Sequence, residues 1–450
     1  MTAPDPERAP GFEAALFTDL YELTMLRAYH AEGLTARAAF SLYVRDLPPE
    51  RNFLIAAGLE DVLDYLERLA FSAEALEHLR SLPQFDDAFV NWLARLRFTG
   101  DVHAIPEGTP VFAGEPLLEV EAPIAEAQLV ETYLLNQITF QTLIASKGAR
   151  VVAVAGGKPV IDFGTRRTHG TDAALKAARA LFLAGFEATS NVEAGRLYDI
   201  PVMGTMAHSY VQAHDDELDA FREFSRLYPG SVLLVDTYDT EQGVRHAIRV
   251  AGERRDSFTL GAVRLDSGDL LAHAVRAREL LDEAGLQDIS IVASGGLDEH
   301  RIAELECAGA PINSYAVGTR VGTSADTPLL ESVYKLVAYR GTGRSKRSEG
   351  KATLPGRKQV FRRAVMPGGE FEGDVIAAAD ESLEGEPLLQ PVMLGGRRLQ
   401  RARPLLRAVR SRTAAEIARL PVRLRALEPA SPPYPVTLSE RLSALGERRA

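Results

Sequence analysis

The sequence predicts an α/β protein whose central part is a (β/α) barrel, and three observations carry that expectation. Short apolar segments recur from about Val160 onward, most end in a polar or glycine-rich tip, and helical patterns separate several of them. Strands that all run one way need crossover helices, and a barrel gathers its functional residues at strand C-termini. A doubly wound open sheet fits the same rhythm, because rhythm does not report closure.

The elements follow in order. Residues 1–10 read as a loose arm, after which Thr18 or Asp19 is placed to cap a helix through YELTMLRAYH that ends near Gly33. The stretch 38–45 alternates like a strand, and Leu59 to about Leu96 holds three helical patterns broken near Phe71 and Pro83. DVHAIPEGTPVFAGEPLLEVEAP reads as short strands between turns, followed by one long helix from about Ile124 to Arg150. The barrel segments are VIDFGTRR, PVMGTMAH, VLLVDTYD, GAVRLDSGD, ISIVASGG and SYAVGTRVG. After about Tyr339 the rhythm stops: KATLPGRKQVFRR and VMLGGRRL look like strands, RTAAEIARL looks helical, and a proline-rich connector precedes a final short helix. This gives three expected segments: an α/β domain over 1–150, the barrel over 151–340, and a tail over 341–450 too poor in core to stand alone, which packs back on the first.

Composition narrows the function. A net charge of −11 argues against nucleic acid and acidic lipid as partners, so any phosphate site must be a local arrangement of Arg, Lys and backbone N–H groups. Cys307 is the only cysteine, which excludes an intramolecular disulfide and a cysteine-based zinc site. The first residues lack the apolar core of a signal peptide, and no apolar run approaches the roughly 20 residues that span a bilayer, so the expected setting is cytoplasmic.

Several tips can carry chemistry. In FGTRRTHGTDAAL, Gly164, Arg166 and Arg167 precede a helix start and suit a phosphate or carboxylate; the same residues also read as two solvated arginines. In LDSGD, Asp266 and Asp269 flank a Ser-Gly turn just after Arg264, where they would serve Mg²⁺ or ribose hydroxyls, with helix capping the alternative for Asp269. The glycines of ASGGL and VGTRVG let backbone N–H groups approach an anion, as at the last strands of a barrel. His208, in GTMAHSYV, is expected at a strand end, as a reactive or a structural histidine, whereas His78 and His300 lie in helical patterns. VDTYD supplies Asp236 and Asp239, either of which would orient a histidine or bind metal, and Tyr21 reads as a core aromatic or a ligand stacker.

Taken together, FTDLYELTM, DFGTRRTHGTDAA, FEATSNVEAG, PVMGTMAHSYV, VDTYDT, VRLDSGDL, ASGGL, VGT and PGRKQVFR resemble the nicotinate phosphoribosyltransferase family, in family order over most of the chain. The resemblance implies an irregular (β/α) barrel of the type II phosphoribosyltransferase kind, with an N-terminal α/β domain completed by the C-terminal chain. It implies a homodimer with shared active sites, in which the pyridine ring stacks between Phe163 and the partner copy's equivalent of Tyr21. Arg264 would meet the nicotinate carboxylate and Arg166 would lie near the phosphoribosyl and pyridine groups. Ser294, Gly295, Gly296, Gly318 and Thr319 would hold the 5-phosphate, and Asp266 and Asp269 would serve the ribose, diphosphate and Mg²⁺. His208 matches the family's phosphorylated histidine, charged from ATP as co-substrate, with Asp236 steadying its ring. The reaction implied joins nicotinate to phosphoribosyl diphosphate in NAD biosynthesis.

Two departures refine the resemblance. The cysteine-rich metal ribbon of some relatives is excluded by the single cysteine. Sister enzymes that take nicotinamide carry an Asp where this chain has Ser190, which leaves no fixed charge to repel a carboxylate and favours nicotinate. The alternatives are a nicotinamide or quinolinate phosphoribosyltransferase, or a phosphosugar-binding barrel that has lost catalysis. Quinolinate needs an additional cation cluster that is not identifiable, and decay would have removed some of His208, Arg166, Asp236 and Asp266. An unrelated barrel isomerase or aldolase would carry a catalytic Lys or Glu at a tip, where this sequence has Arg, Asp, His and Ser.

Overall fold

The computed structural model describes residues 12–253, 260–346, 348 and 353–447. The loose arm expected over 1–10 lies outside them. The chain divides into two compact units, one made of 1–146 with 329–450, the other of 147–328.

The first unit is built on antiparallel pairing. Its larger sheet runs Thr342–Gly343, Ser332–Tyr339, Arg37–Val44, Pro116–Pro123, Asp101–Ala104, Gln390–Leu394 and Arg397–Arg398. Strands from both ends of the sequence therefore complete one sheet. A second sheet is made of Glu386–Pro387, Lys358–Ala364, Phe371–Ala378 and Val436–Leu438, where buried Arg362 meets buried Asp374 at 2.6 Å. The three expected helices are Leu59–Arg68, Ala73–Ser81 and Asp87–Leu93; Ser72 and Asp86 cap the last two by accepting from Ala75 and Phe89 N–H. The first helix, Leu20–Glu32, ends on left-handed Gly33 as its sequence predicts, but neither Thr18 nor Asp19 caps it. Those side chains are engaged elsewhere, Asp19 with the Thr132 hydroxyl at 2.8 Å and Thr18 with Glu22. The long helix expected from 124 is interrupted at Val130, giving Ile124–Leu129 and Glu131–Val154. Among the described residues no helix is long and apolar enough to cross a membrane.

The second unit carries the expected rhythm. In order it contains β1 (Val160–Asp162), α1 (Thr171–Leu183), β2 (Ala188–Thr189), α2 (Val192–Tyr198), α3 (His208–Gln212), α4 (Glu217–Leu227), β3 (Val232–Leu234), α5 (Thr240–Glu253), β4 (Ala262–Leu265), α6 (Leu270–Glu283), β5 (Ser290–Ala293), α7 (Glu299–Cys307), β6 (Ser314–Val317) and α8 (Thr319–Gly322). The sheet order is β2-β1-β6-β5-β4-β3 and every pairing is parallel. Strands such as β5 and β6 are short, mainly apolar runs because helices cover a parallel sheet on its faces. The curve does not close: β2 and β3 end the order, so the barrel is a half-barrel.

One expected strand is absent. At 201–203 the only ladder contact is a bridge between Val202 and Thr189. Pro201 has no N–H to give, and Val202 and Met203 are about half exposed, so pairing stops at the two bonds of that bridge, Thr189 N–H to Pro201 O and Met203 N–H to Thr189 O at 3.0 Å each. The parallel neighbour of β1 is instead Ala188–Thr189, from the FEATSN stretch.

Candidate active site

The C-terminal ends of the parallel strands converge, and the sequence-predicted tips of the second unit lie there. β1 continues into Phe163, whose N–H donates to Val317 O at 2.6 Å, bringing the first tip beside the last. The approach is close: a Cβ on Gly318 would sit 3.1 Å from Phe163 O, and one on Gly164 would sit 3.3 Å from Gly318 O, so a side chain at either would press on the other tip. Arg166 is exposed on the turn that follows. Ser190 follows β2, its N–H donating to Asp162 O at 2.7 Å.

Arg264 closes the next side. It lies on β4, is 7% exposed, and donates from Nη2 to Met206 O at 3.0 Å. Its guanidinium sits 5.8 Å from the centre of the Phe163 ring, a cation beside an aromatic face. Burial pulls its pKa below the usual guanidinium value, against the attraction of Asp266 and Asp236. A buried cation with an aromatic neighbour suits a planar anionic ring.

Asp266, Asp236, Ser294 and His208 form a connected group. Ser294 donates to Asp266 Oδ1 at 2.6 Å, and His208 Nε2 lies 3.8 Å from Asp266 Oδ2. The ring of His208 is held at Nδ1 by Thr237 Oγ1 at 3.1 Å. This differs from the expected steadying carboxylate: Asp236 Oδ2 accepts from Asp266 N–H at 2.8 Å and from Ser267 Oγ at 2.7 Å. Asp236 thus shapes the Asp266 turn, and the ring's partner is the residue after it. Nor does His208 end a strand; it opens α3, because the segment before it is irregular.

A cavity of about 430 Å³ lies beside this group, and its walls include Asp266, Gly295, Gly296, Asp298 and Arg320. Gly295 has φ +85°, and a Cβ there would meet Asp266 O at 1.8 Å, so no other residue fits this tip. Asp298 caps α7 by accepting from Arg301 N–H at 2.9 Å and also takes Arg320 Nη1 at 2.8 Å. Although burial pushes its pKa up, those bonds hold it below the usual carboxylate range. Gly318 and Thr319 open α8 immediately before Arg320.

Two expected site residues stand apart from this grouping. Asp269 spends Oδ1 on the amides of Leu271 and Ala272, as the cap of α6. Tyr21 belongs to the first unit, on the helix Leu20–Glu32, with 48% of its surface exposed. Among the described residues no three His, Cys, Asp or Glu side chains gather into a metal-holding group. Mg²⁺ commonly takes one or two carboxylates and completes its shell with water and substrate phosphates, and Asp266, at the cavity wall, fits that use better than the capping Asp269. Sequence reasoning missed Thr237, Asp298, Arg320 and Asp162. The last had a visible signal, an acid inside an apolar strand.

Comparisons with known proteins agree with this fold. Residues 16–139 match the model of the nicotinate phosphoribosyltransferase N-terminal domain and residues 159–321 that of the nicotinate phosphoribosyltransferase family. The chain is 53% identical to a nicotinate phosphoribosyltransferase of Mycobacterium tuberculosis, over 95% of this chain and 92% of the relative. The crystal structure of human nicotinic acid phosphoribosyltransferase superposes with a TM-score of 0.85 at 29% identity, covering 97% of this chain and 100% of that one. A nicotinate-nucleotide pyrophosphorylase from Pyrococcus furiosus superposes with a TM-score of 0.75 at 25% identity, covering 92% of this chain and 98% of that one.

Proposed function

As the chain belongs to the nicotinate phosphoribosyltransferase family and acts as a nicotinate phosphoribosyltransferase in NAD salvage, we propose that it couples this transfer to ATP through a phosphoryl group carried on His208. The observation that carries the reading is the tethered imidazole beside the cavity. When Nδ1–H donates to Thr237 Oγ1, the Nε2 lone pair is free, and it lies 3.8 Å from the carboxylate that Ser294 also holds. Nε2 attacks the terminal phosphorus of ATP, the P–O bond to ADP breaks, and ADP leaves with that electron pair. After the transfer, water attacks the same phosphorus, the N–P electron pair returns to Nε2, and phosphate leaves with a proton released to solvent.

In the second reaction the pyridine nitrogen of nicotinate attacks C1 of phosphoribosyl diphosphate as the bond from C1 to the diphosphate oxygen breaks. The electron pair leaves with diphosphate, and nicotinate mononucleotide forms. Nitrogen already holds its lone pair, so no protein base is needed and the protein's contribution is alignment. Arg264 holds the carboxylate and Phe163 the ring face, while Ser190 lacks the charge that would repel the acid. Ser294, Gly295, Gly296, Gly318 and Thr319 cradle the 5-phosphate, and Arg166 approaches the phosphoribosyl end. Asp266, with a smaller contribution from Asp269, would hold Mg²⁺, which when bound neutralises charge on the diphosphate.

We further propose a cytoplasmic homodimer in which Tyr21 of each copy completes the other's ring subsite. Supporting this, Tyr21 and Leu20 are about half exposed, as are Val202 and Met203 in the second unit, while Val192 is 73% exposed. Single exposed apolar side chains are ordinary, but these flank site residues. Steady-state assays with nicotinate, nicotinamide and quinolinate, each with and without ATP, test the reading. Turnover should be greatest for nicotinate and should rise with ATP; a preference for either other acid or amide, or no response to ATP, refutes it.

A further inference from the structure

We infer that Asp162 is the positioning residue of the pyridine subsite: its buried carboxylate ties the Phe163–Gly164 tip to the Thr189–Ser190 tip and sets the gap that receives the ring. This rests on the assignment of Phe163 and Ser190 to that subsite.

The two oxygens of Asp162 are spent on two different tips. Oδ1 accepts from Gly164 N–H at 2.7 Å, and Oδ2 accepts from Thr189 Oγ1 at 2.7 Å. Its own carbonyl accepts from Ser190 N–H at 2.7 Å. One residue, 4% exposed, therefore fixes the backbone on both sides of the subsite. Thr189 passes the restraint on. Its Oγ1 accepts from Asn191 N–H at 3.0 Å, and its backbone is bonded to Pro201 O and Met203 N at 3.0 Å each. The segment thus anchored leads to Met206, whose carbonyl holds Arg264. Phe163, Ser190 and Arg264 all trace back to this one residue, Ser190 through its carbonyl and the others through its carboxylate.

The chemistry of the position argues that this is more than packing. β3, β4, β5 and β6 end in Leu234, Leu265, Ala293 and Val317, all buried and apolar. β1 alone among them ends in an acid. Among the described residues no basic side chain bonds it, and burial pushes its carboxyl above the usual range against the bonds from Thr189 and Gly164. Burying an acid without a cation costs stability. An apolar residue would fill the space at lower cost, so what the acid adds is the pair of directional bonds between tips.

The test uses the full chain with Asp162→Ala, Thr189→Val and Phe163→Ala. Thr189→Val keeps the shape and the Gly164 bond and removes the hydroxyl that joins Asp162 to the second tip, together with its bond from Asn191 N–H, so it remains informative if Asp162→Ala folds poorly. Asp162→Ala and Thr189→Val should each raise KM for nicotinate about tenfold, with KM for phosphoribosyl diphosphate within about twofold of the parent. Asp162→Asn, which retains one acceptor, should fall between. Hydrogen exchange should speed up over 163–168 and 189–191 in Asp162→Ala and stay unchanged in β4 and β5. A joint rise of both KM values, or unchanged exchange at the two tips, overturns the inference as a mere loss of structure would. If Phe163→Ala raises KM for nicotinate while Asp162→Ala and Thr189→Val leave it unchanged, the inference alone falls. If Phe163→Ala leaves it unchanged, the subsite assignment falls first and takes the inference with it.

Discussion

Replacing Arg264 by alanine separates recognition of a carboxylate from recognition of a pyridine ring. The guanidinium is 7% exposed and faces the Phe163 ring at 5.8 Å, so a charge-assisted bond from it to nicotinate would be poorly screened. Such a bond contributes about 1.5–3 kcal/mol, which is roughly 10- to 150-fold in kcat/KM for nicotinate. Nicotinamide offers a neutral acceptor, for which a bond of about half that strength is expected, so its kcat/KM should fall by about tenfold or less. The substitution also removes one of the two donors to Met206 O, leaving the Thr205 hydroxyl at 3.1 Å, which should cost about 1 kcal/mol of stability. Measuring kcat/KM for both acceptors at saturating phosphoribosyl diphosphate, with Tm alongside, distinguishes the two effects. A lowered Tm with an unchanged nicotinate-to-nicotinamide ratio would refute the recognition argument and leave Arg264 a structural residue.

Three further predictions follow from the same geometry. His208→Asn should abolish nicotinate-stimulated ATP hydrolysis and acid-labile phosphate on the protein while slow ATP-independent nucleotide formation continues; phosphate incorporation at parental stoichiometry would place the carrier elsewhere. Tyr21→Ala and Arg264→Ala homodimers should each be weak, and subunit exchange between them should restore about one intact site per heterodimer; no recovery, with the heterodimer confirmed by mass, would mean that one chain builds each site. Glu22 is raised from 4.5 to about 7 by burial first and by the charges of Glu131 and Asp19, against bonds from Thr18 and Thr132. Because the folded form holds the proton more tightly than the unfolded chain, this contribution is complete below pH 4.5 and is lost as pH rises through about 7. Glu22→Gln should therefore flatten the fall of Tm across that window, and an unaltered slope would contradict the assignment.

Most of the second unit was legible because a covered parallel sheet demands mainly apolar runs, and ISIVA and GAVRL, each with a single polar residue, fit that pattern. The tips were legible because Asp, Arg, Ser and Gly at a strand end have few structural uses. Closure was not legible: whether β2 meets β3 is decided by pairing that no local pattern encodes, and the half-barrel follows from Pro201 and the exposed Val202 and Met203 beside it. The partner of His208 was misassigned because a carboxylate is the usual second partner of a working histidine. Here the carboxylate of Asp236 turns toward the Asp266 amide, and the neighbouring hydroxyl of Thr237 takes the ring. For Asp269 both readings were open in the sequence, and the geometry shows the capping one, since an acid just ahead of a helix is well placed to cap it.

The arrangement of the two units bears on how the chain is synthesised. The strand Arg37–Val44 is made early, yet one of its two ladder neighbours, Ser332–Tyr339, emerges after the whole of 147–328. Until then that edge is bare, and a bare edge strand invites pairing with other chains. Closing a flexible loop of that length costs entropy that grows with the logarithm of its length. The intervening unit reduces that cost, because β1 and β6, near its beginning and its end, are hydrogen-bonded neighbours with Tyr315 opposite Val160. Once those strands pair, the long excursion becomes a short one, and the nascent tail is delivered near the point from which the chain departed. The pairing that brings the first tip beside the last would thus also serve as a clasp during biogenesis, and weakening it should be felt first as poor yield from the ribosome.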